Sequence, residues 1–279
     1  MIKKLFLLIN LIIPITILLS FQVNSTCKAD VKNQTQFGND ILQLSINIWL
    51  EGAFDGEKQM NTELNKKRIL EQFEYNILRP RVIIGNITIP QMLPGYRVPS
   101  GAVDIIKIML RSQTIPYKVV DSTLAWVMNN GTIRDYSTGL NNFAIFDNSN
   151  AGTYFVEIRH KNHLPIISNT AYSFENKRTI GIDFSNPKII RGRDNSYKTT
   201  KTNQLIAMMV AGDVFKNSSL KETNAHDVFL MNKILNEGEF TNLEYHIGDV
   251  NLDGSINETD KKIVDFNSSK LYFFPIPME

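Results

Sequence analysis

The sequence predicts a mainly β chain followed by a small α-helical unit. Three observations predict it. Apolar and polar residues alternate over several short stretches, the period of a half-buried strand. No helical pattern separates those stretches, which is the arrangement of a β-sandwich. After about Thr199 apolar residues recur at helical spacing instead, each run preceded by an Asp/Asn-rich loop.

The elements follow in order. Leu44, Ile46, Ile48 and Leu50 alternate with Gln43, Ser45, Asn47 and Trp49, a half-buried strand. Residues 52–99 are rich in proline and polar side chains and read as an irregular excursion, with helix composition over 62–75. The denser apolar run 103–111 suits an inner strand. Residues 124–128 lead into Asn129-Asn130-Gly131, whose Asn-Gly pair suits the positive φ angles of a tight hairpin turn. Further strands are expected at 143–146, 154–159 and 180–184. Leu230, Ile234 and Leu235, with Phe229 nearby, mark one helix, and Ile263, Val264 and Phe266 a second. The expected organisation is a segment 1–29, a linker 30–42, a β-sandwich module 43–190, a linker 191–205, a helical unit 206–270 and a tail 271–279.

The first segment reads as a secretory signal. Lys3 and Lys4 precede an apolar run to about Phe21, and Ser25, Thr26, Cys27 and Ala29 form a small-residue exit. Cleavage after Ala29 is the preferred expectation, with Ser25 as the alternative site, and the product is expected to be secreted or held at the cell surface without a stable membrane span. Lipid attachment through Cys27 matches poorly, because Thr26 and Asn24 stand where a lipoprotein carries small and aliphatic residues. The net charge of +2 rests on 30 Lys and Arg against 28 Asp and Glu, so no basic excess exists to bind nucleic acid. Lys3, Lys4 and Lys28 lie in the signal, so the slight excess leaves with it. The single cysteine excludes an intramolecular disulfide framework and a cysteine-cluster metal site.

The most specific string runs from Asp249 to Asp260. Asp249, Asn251 and Asp253 stand at alternate positions, Gly254 at the sharp turn, and Asp260 at the start of the following helix. Ser255 would offer its backbone carbonyl, Asn257 would contribute directly or through water, and Ile256 would turn into the core. Calcium takes six to eight hard oxygen ligands in a flexible cage, and this EF-hand-like spacing supplies them. Upstream, Gly212-Asp213-Val214 parallels Gly248-Asp249-Val250, and Asn224 to Asp227 parallels Asn257 to Asp260. That first loop is three residues longer and lacks the central Asp-Gly. Its candidate ligands are Asp213, Asn217, Asn224 and Asp227.

Aspartate rather than glutamate at the last loop position, with the string Gly248 to Asp260, resembles a type I dockerin repeat, the calcium-loop-plus-helix unit of bacterial extracellular assemblies. The repeats would be 212–236, altered, and 248–268, intact. Four upstream strings, at 48–55, 60–64, 98–104 and 152–165, look like a module found before dockerin-like tails in secreted proteins of Bacteroidetes and related bacteria. That pattern continues with tryptophan where this chain has Ile105. The resemblance implies an Ig-like or prealbumin-like β-sandwich before a dockerin-like domain, and a cohesin-like or cell-surface protein as partner. It places partner choice at Glu258 and Thr259, with Ala225 and His226 in the first unit. Because the two units differ there, symmetric two-way docking is not expected.

Other constellations carry less. His160 and His163 at a strand end would point to different faces, not converge on a metal. Asp104, Asp121, Asp135 and Asp147 lack a pattern that would pair them as glycosidase carboxylates, and no nucleophile-elbow, zincin or phosphate-loop string is present. Trp49 and Trp126 suit a core better than a sugar platform. Glycan-acceptor sequons include Asn86, Asn130 and Asn257, the last inside the calcium loop. The expectation is therefore a secreted, non-catalytic calcium-binding protein of surface attachment or assembly, with a polysaccharide-associated carbohydrate-binding or adhesin module as the alternative and a hydrolase less favoured.

Overall fold

The computed structural model describes residues 40–71, 98–192, 195–200, 205–216, 221–238 and 245–275. The signal segment with Cys27, the sequon at Asn86, the loop residue Asn217 and residues 276–279 lie outside them. Residues Asn39–Glu279 form one compact unit.

The chain is mainly β, as expected. Strand β1 (Leu42–Asn47) buries Leu42, Leu44 and Ile46 on one face. It is the middle of a three-stranded sheet, pairing antiparallel with β5 (Ala144–Phe146) and parallel with β9 (Thr179–Asp183). The second sheet orders β4 (Ile133–Asp135), β3 (Val119–Met128), β2 (Ala102–Arg111), β6 (Gly152–Arg159) and β7 (Ile166–Ile167). Strand β8 (Tyr172–Phe174) pairs with the start of β6. The dense apolar run of β2 is explained by its place: it lies between β3 and β6 and is buried along nearly its whole length. Apolar residues of both sheets share one core, which includes Leu44, Ile46, Ile106, Ile108, Trp126 and Ile158. Trp49 and Trp126 are both buried in it.

The turn between β3 and β4 is a tight hairpin, as expected, but with one positive φ angle in place of two. Gly131 N–H donates to Met128 O at 2.9 Å, and Met128 N–H donates to Thr132 O at 2.8 Å. Of Asn130 and Gly131, only Gly131 takes positive φ, +80°. This is a three-residue loop with glycine in the left-handed position, a standard alternative to the primed turns.

Within the expected excursion, α1 (Glu63–Lys66) packs against β2, and Leu64, Ile69 and Leu70 join the main core. The helix composition at 62–75 thus yields one short helix and a second helical turn at 69–71; residues 72–75 lie outside the description.

The segment read as a linker is structured where described. Arg191 N–H donates to Ile167 O at 2.9 Å, Tyr197 enters the main core, and β10 (Lys198–Thr199) pairs with β11 (Ala207–Met208). Ile206, Ala207, Met208 and Met209 complete that core. Two helices follow, α2 (Ala225–Glu237) and α3 (Glu258–Ser268), which pack on each other. Met231, Val250, Val264, Ala211 and Val214 form a second, smaller core. In α2 the buried stripe is Asp227, Met231 and Ile234, while Phe229 is 69% exposed. Phe266 of α3 likewise faces outward.

Candidate calcium loop and its docking face

The helix α3 starts with a capping box. Asn257 Oδ1 accepts the Thr259 N–H at 2.7 Å, and Asp260 Oδ2 accepts the Asn257 N–H at 3.0 Å. The other oxygen of Asp260 reaches back to the start of the loop, where Oδ1 accepts from Val250 N–H at 2.9 Å and Asn251 N–H at 3.1 Å. Asp260 therefore ties both ends of the loop together. Asp249 does the same for its centre, accepting from Asp253 N–H at 3.1 Å and Gly254 N–H at 2.9 Å. Asp253 Oδ1 accepts the Ser255 N–H at 2.8 Å, and its Oδ2 accepts from Asn251 Nδ2 at 2.9 Å. Gly254 has φ +78°, and an added Cβ would stand 2.6 Å from Ile69 Cδ1. Ile256 packs against the smaller core, as its loop position suggested.

Asp249, Asn251 and Asp260 are buried, while Asp253, Ser255 and Asn257 are half-buried and Glu258 and Thr259 exposed. Burial, with repulsion from Asp260 and Asp253, pushes the Asp249 carboxyl up to about 7 against the opposing attraction of Lys161. Burial likewise raises Asp260 to about 6, although three backbone N–H groups favour its charged form. Among the described residues, no three His, Cys, Asp or Glu side chains form a metal-holding group. A cation here would draw on Asn251 and backbone oxygens beside the carboxylates. That mixed oxygen set suits calcium and not a soft metal.

The first loop repeats this plan around Asp227. Its Oδ1 accepts from Val214 N–H and Phe215 N–H, both at 2.8 Å, and its Oδ2 accepts from Asn224 N–H at 2.8 Å. Asn224 Oδ1 accepts the His226 N–H at 2.8 Å, completing a second capping box. Asp213 is also buried.

The 249–260 loop does not stand alone, and no local pattern announced what it rests on. Leu252, at its fourth position, belongs to the main β core. Asn162 Nδ2 donates to Asp249 O at 2.6 Å and Ile247 O at 3.1 Å. Asn61 Nδ2 donates to Asn251 O at 2.9 Å, and Lys67 Nζ to Asp253 O. Gly52 lies so close that a Cβ would fall 1.7 Å from Val250 O. The residue before it, Glu51, pairs with Lys198 and accepts from Ala211 N–H at 3.0 Å and Asn267 Nδ2 at 2.8 Å.

Behind Asn162 lies a polar chain centred on buried Asp104, His160 and His163. Gly52 N–H donates to His163 Nε2 at 3.3 Å, which places the proton of neutral His163 on Nδ1. His163 Nδ1 is 2.9 Å from His160 Nδ1, so His160 carries its own proton on Nε2, 3.1 Å from Asp104 Oδ2. The Tyr245 hydroxyl donates to Asp104 Oδ1 at 2.6 Å. Lys161 Nζ pairs with Asp104 Oδ2 at 3.1 Å and lies 3.5 Å from the Tyr245 ring centroid. Burial opposes the Asp104 charge, but Lys161, His160 and Tyr245 outweigh it and hold that carboxyl well below its ordinary value. Burial lowers His160 and drives His163 further down, so both imidazoles are neutral.

The expectation that the two histidine rings part to different faces is therefore wrong. Strand β6 ends at Arg159 and the chain bends over 160–162, so strand alternation no longer applies. The rings meet edge to face with centroids 4.7 Å apart. The Asp104, His160 and His163 side chains are buried. Their polar atoms face one another, Gly52, Lys161 and the Tyr245 hydroxyl. The arrangement fastens elements: it ties the end of β6 to β2, to Gly52 and to Tyr245. Asp121 and Asp135 are likewise committed locally, to Ser122, Asn148 and Ser149 and to Ser137, Thr138 and Asn141.

No protein-family model matches the chain, and comparison with curated proteins finds no match. Among solved structures, the chain is similar to two crystallised type II cohesin–X-dockerin complexes from Acetivibrio cellulolyticus. A chain of the N-terminal interface mutant is 18% identical, with 59% of this chain and 83% of that one covered and a TM-score of 0.30. For the C-terminal interface mutant the identity is 14%, the coverage 82% and 98%, and the TM-score 0.32. At these TM-scores the likeness fixes neither fold nor function.

Proposed function

We propose that this is a secreted, non-catalytic calcium-binding protein that attaches or assembles at a cell surface through a dockerin-like unit. The observation that carries this reading is the closed loop of Asp249, Asn251, Asp253 and Asp260, whose two buried carboxylates are raised to about 7 and 6. Such a loop stores unfavourable negative charge, which a divalent cation relieves. Asp249, Asn251, Asp253 and Asp260 would hold the ion, with the Ser255 carbonyl and Asn257 completing the oxygen set. Bound calcium would supply charge neutralisation and order, not catalysis. The exposed Glu258 and Thr259 on the first turn of α3 would face a protein partner of the cohesin kind. Burial of both tryptophans removes the residues best suited to stack on sugars, so a carbohydrate-binding role gains no specific support.

The test is thermal melting of the full chain in calcium and in chelator. Calcium raises the melting temperature of the native chain, and Asp253→Ala removes that gain. Identical melting curves in excess calcium and excess chelator would defeat the proposal.

A further inference from the structure

Around Asp227 and Asp260 the two loops share one hydrogen-bond plan but differ in the charge that fills it. Asp227 and Asp260 each accept the N–H of a helix-capping asparagine and two successive N–H groups of their own loop. Val214 and Phe215 in the first loop therefore occupy the places of Val250 and Asn251 in the second. An oxygen ligand, Asn251, is replaced by Phe215, whose ring instead stacks on His226 at 5.2 Å. Asp213 occupies the place of Asp249. Its Oδ2 faces Lys216 Nζ at 2.7 Å, with the carboxylate side chain 4% exposed and the lysine 36%.

We propose that the first loop takes no metal ion because the Lys216 ammonium, paired with buried Asp213, supplies the positive charge that calcium supplies at Asp249. This rests on the calcium reading of the second loop. Two carboxylates buried in one loop, Asp213 and Asp227, repel each other and need a cation nearby. In the first loop that cation is covalently part of the chain and present at every calcium concentration. The unit is thereby fixed in its folded form, and only the second loop responds to calcium.

Titration of the full chain with calcium chloride, followed by calorimetry and native mass spectrometry, tests the assignment. The native chain takes up one ion, and Asp253→Ala takes up none. In chelator, Lys216→Gln lowers the melting temperature by roughly 3 °C, about what loss of one partly buried ion pair produces in a chain of this size. Lys216→Arg recovers most of that loss. A second ion of comparable affinity in the native chain, an ion retained by Asp253→Ala, or a Lys216→Gln melt equal to the native one overturns the proposal. If the native chain takes up no ion, the calcium reading of residues 249–260 falls, and the chelator melt of Lys216→Gln alone decides the role of the lysine.

Discussion

Single atoms decide how closely the β part and the 249–260 loop approach. Gly52 has no side chain because Val250 O occupies the space, 1.7 Å from where a Cβ would stand, and backbone cannot move aside as a side-chain tip can. Gly52→Ala is expected to destabilise the chain by about 3 kcal/mol, the upper range for overpacking. Gly181→Ala, where nothing lies within 4 Å, serves as the control and changes stability by less than about 0.5 kcal/mol. Denaturant unfolding of both variants measures the difference; equal midpoints would refute the close approach. The histidines give a pH signature. Their folded-state pKa values lie below the ordinary one, so their contribution to stability is complete above about 6.5 and is lost as pH falls, when the unfolded chain takes up protons that the folded chain refuses. In excess calcium, which under the proposed function would keep the loop carboxylates ionised, stability should decline from pH 7.5 to 5.5. The limiting slope is about 1.4 kcal/mol per pH unit for each histidine. His163→Gln should reduce the slope measured by denaturant unfolding at several pH values; an unchanged slope would mean that His163 is protonated in the fold. None of this was legible in the sequence. His160 and His163 stand three apart in a chain that reads as strand, and only the bend after Arg159 brings their rings together.

Elements were legible in proportion to their length and regularity. The alternation of Leu44, Ile46 and Ile48 and the dense run of β2 announced their strands, and the oxygen spacing from Asp249 to Asp260 announced a loop closed on a helix start. The two-residue strands β7, β10 and β11 are too short to show any period, and the parallel pairing of β1 with β9 spans a sequence separation no local pattern records. Helix faces were read partly wrong for a related reason. Phe266 was grouped with an apolar stripe and Phe229 placed beside one, yet both face outward, and each buried face includes an aspartate, Asp227 or Asp260, that a hydrophobic pattern does not count. These aspartates should matter more than the caps beside them. Asn224→Ala removes one capping acceptor and should cost about 1 kcal/mol. Asp227→Ala orphans three N–H groups and should cost about 3 kcal/mol, the capping loss plus the desolvation of buried donors. If denaturant unfolding shows Asp227→Ala to be no worse than Asn224→Ala, the carboxylate does not organise the first loop.

At the scale of the molecule, the sequence suggested two domains and a linker, while the contacts join them. The change from strand to helix spacing near Thr199 is real, but a change of period marks a change of secondary structure and not of core. Ile206, Ala207, Met208, Met209 and Leu252 lie in the same apolar core as the sheets, and Tyr197 enters it from the stretch read as a linker. Met209 N–H donates to Trp49 O at 2.9 Å and Glu51 N–H to Met209 O at 3.1 Å, so the crossing is also hydrogen-bonded. Gly52, Asn61, Asp104 and Asn162, one from each upstream string that resembled a known module, lie in or beside this contact. Those strings had no chemical meaning in the sequence because their partner lies some 90 to 200 residues further on. Truncation after Leu205 should therefore not release a stable β module. It would expose the core under Leu252 and the four residues 206–209, leave Glu51 without Asn267 and Ala211, and strip Tyr245 from Asp104. Each fully buried apolar side chain lost is worth about 1.5–3 kcal/mol, and their sum approaches the whole stability of an ordinary domain. The truncated chain should lose its cooperative thermal transition, whereas the full chain unfolds in one step. Calorimetry decides: a sharp, independent transition in the truncated chain would show that the β part folds alone and that the 249–260 loop is an accessory to it.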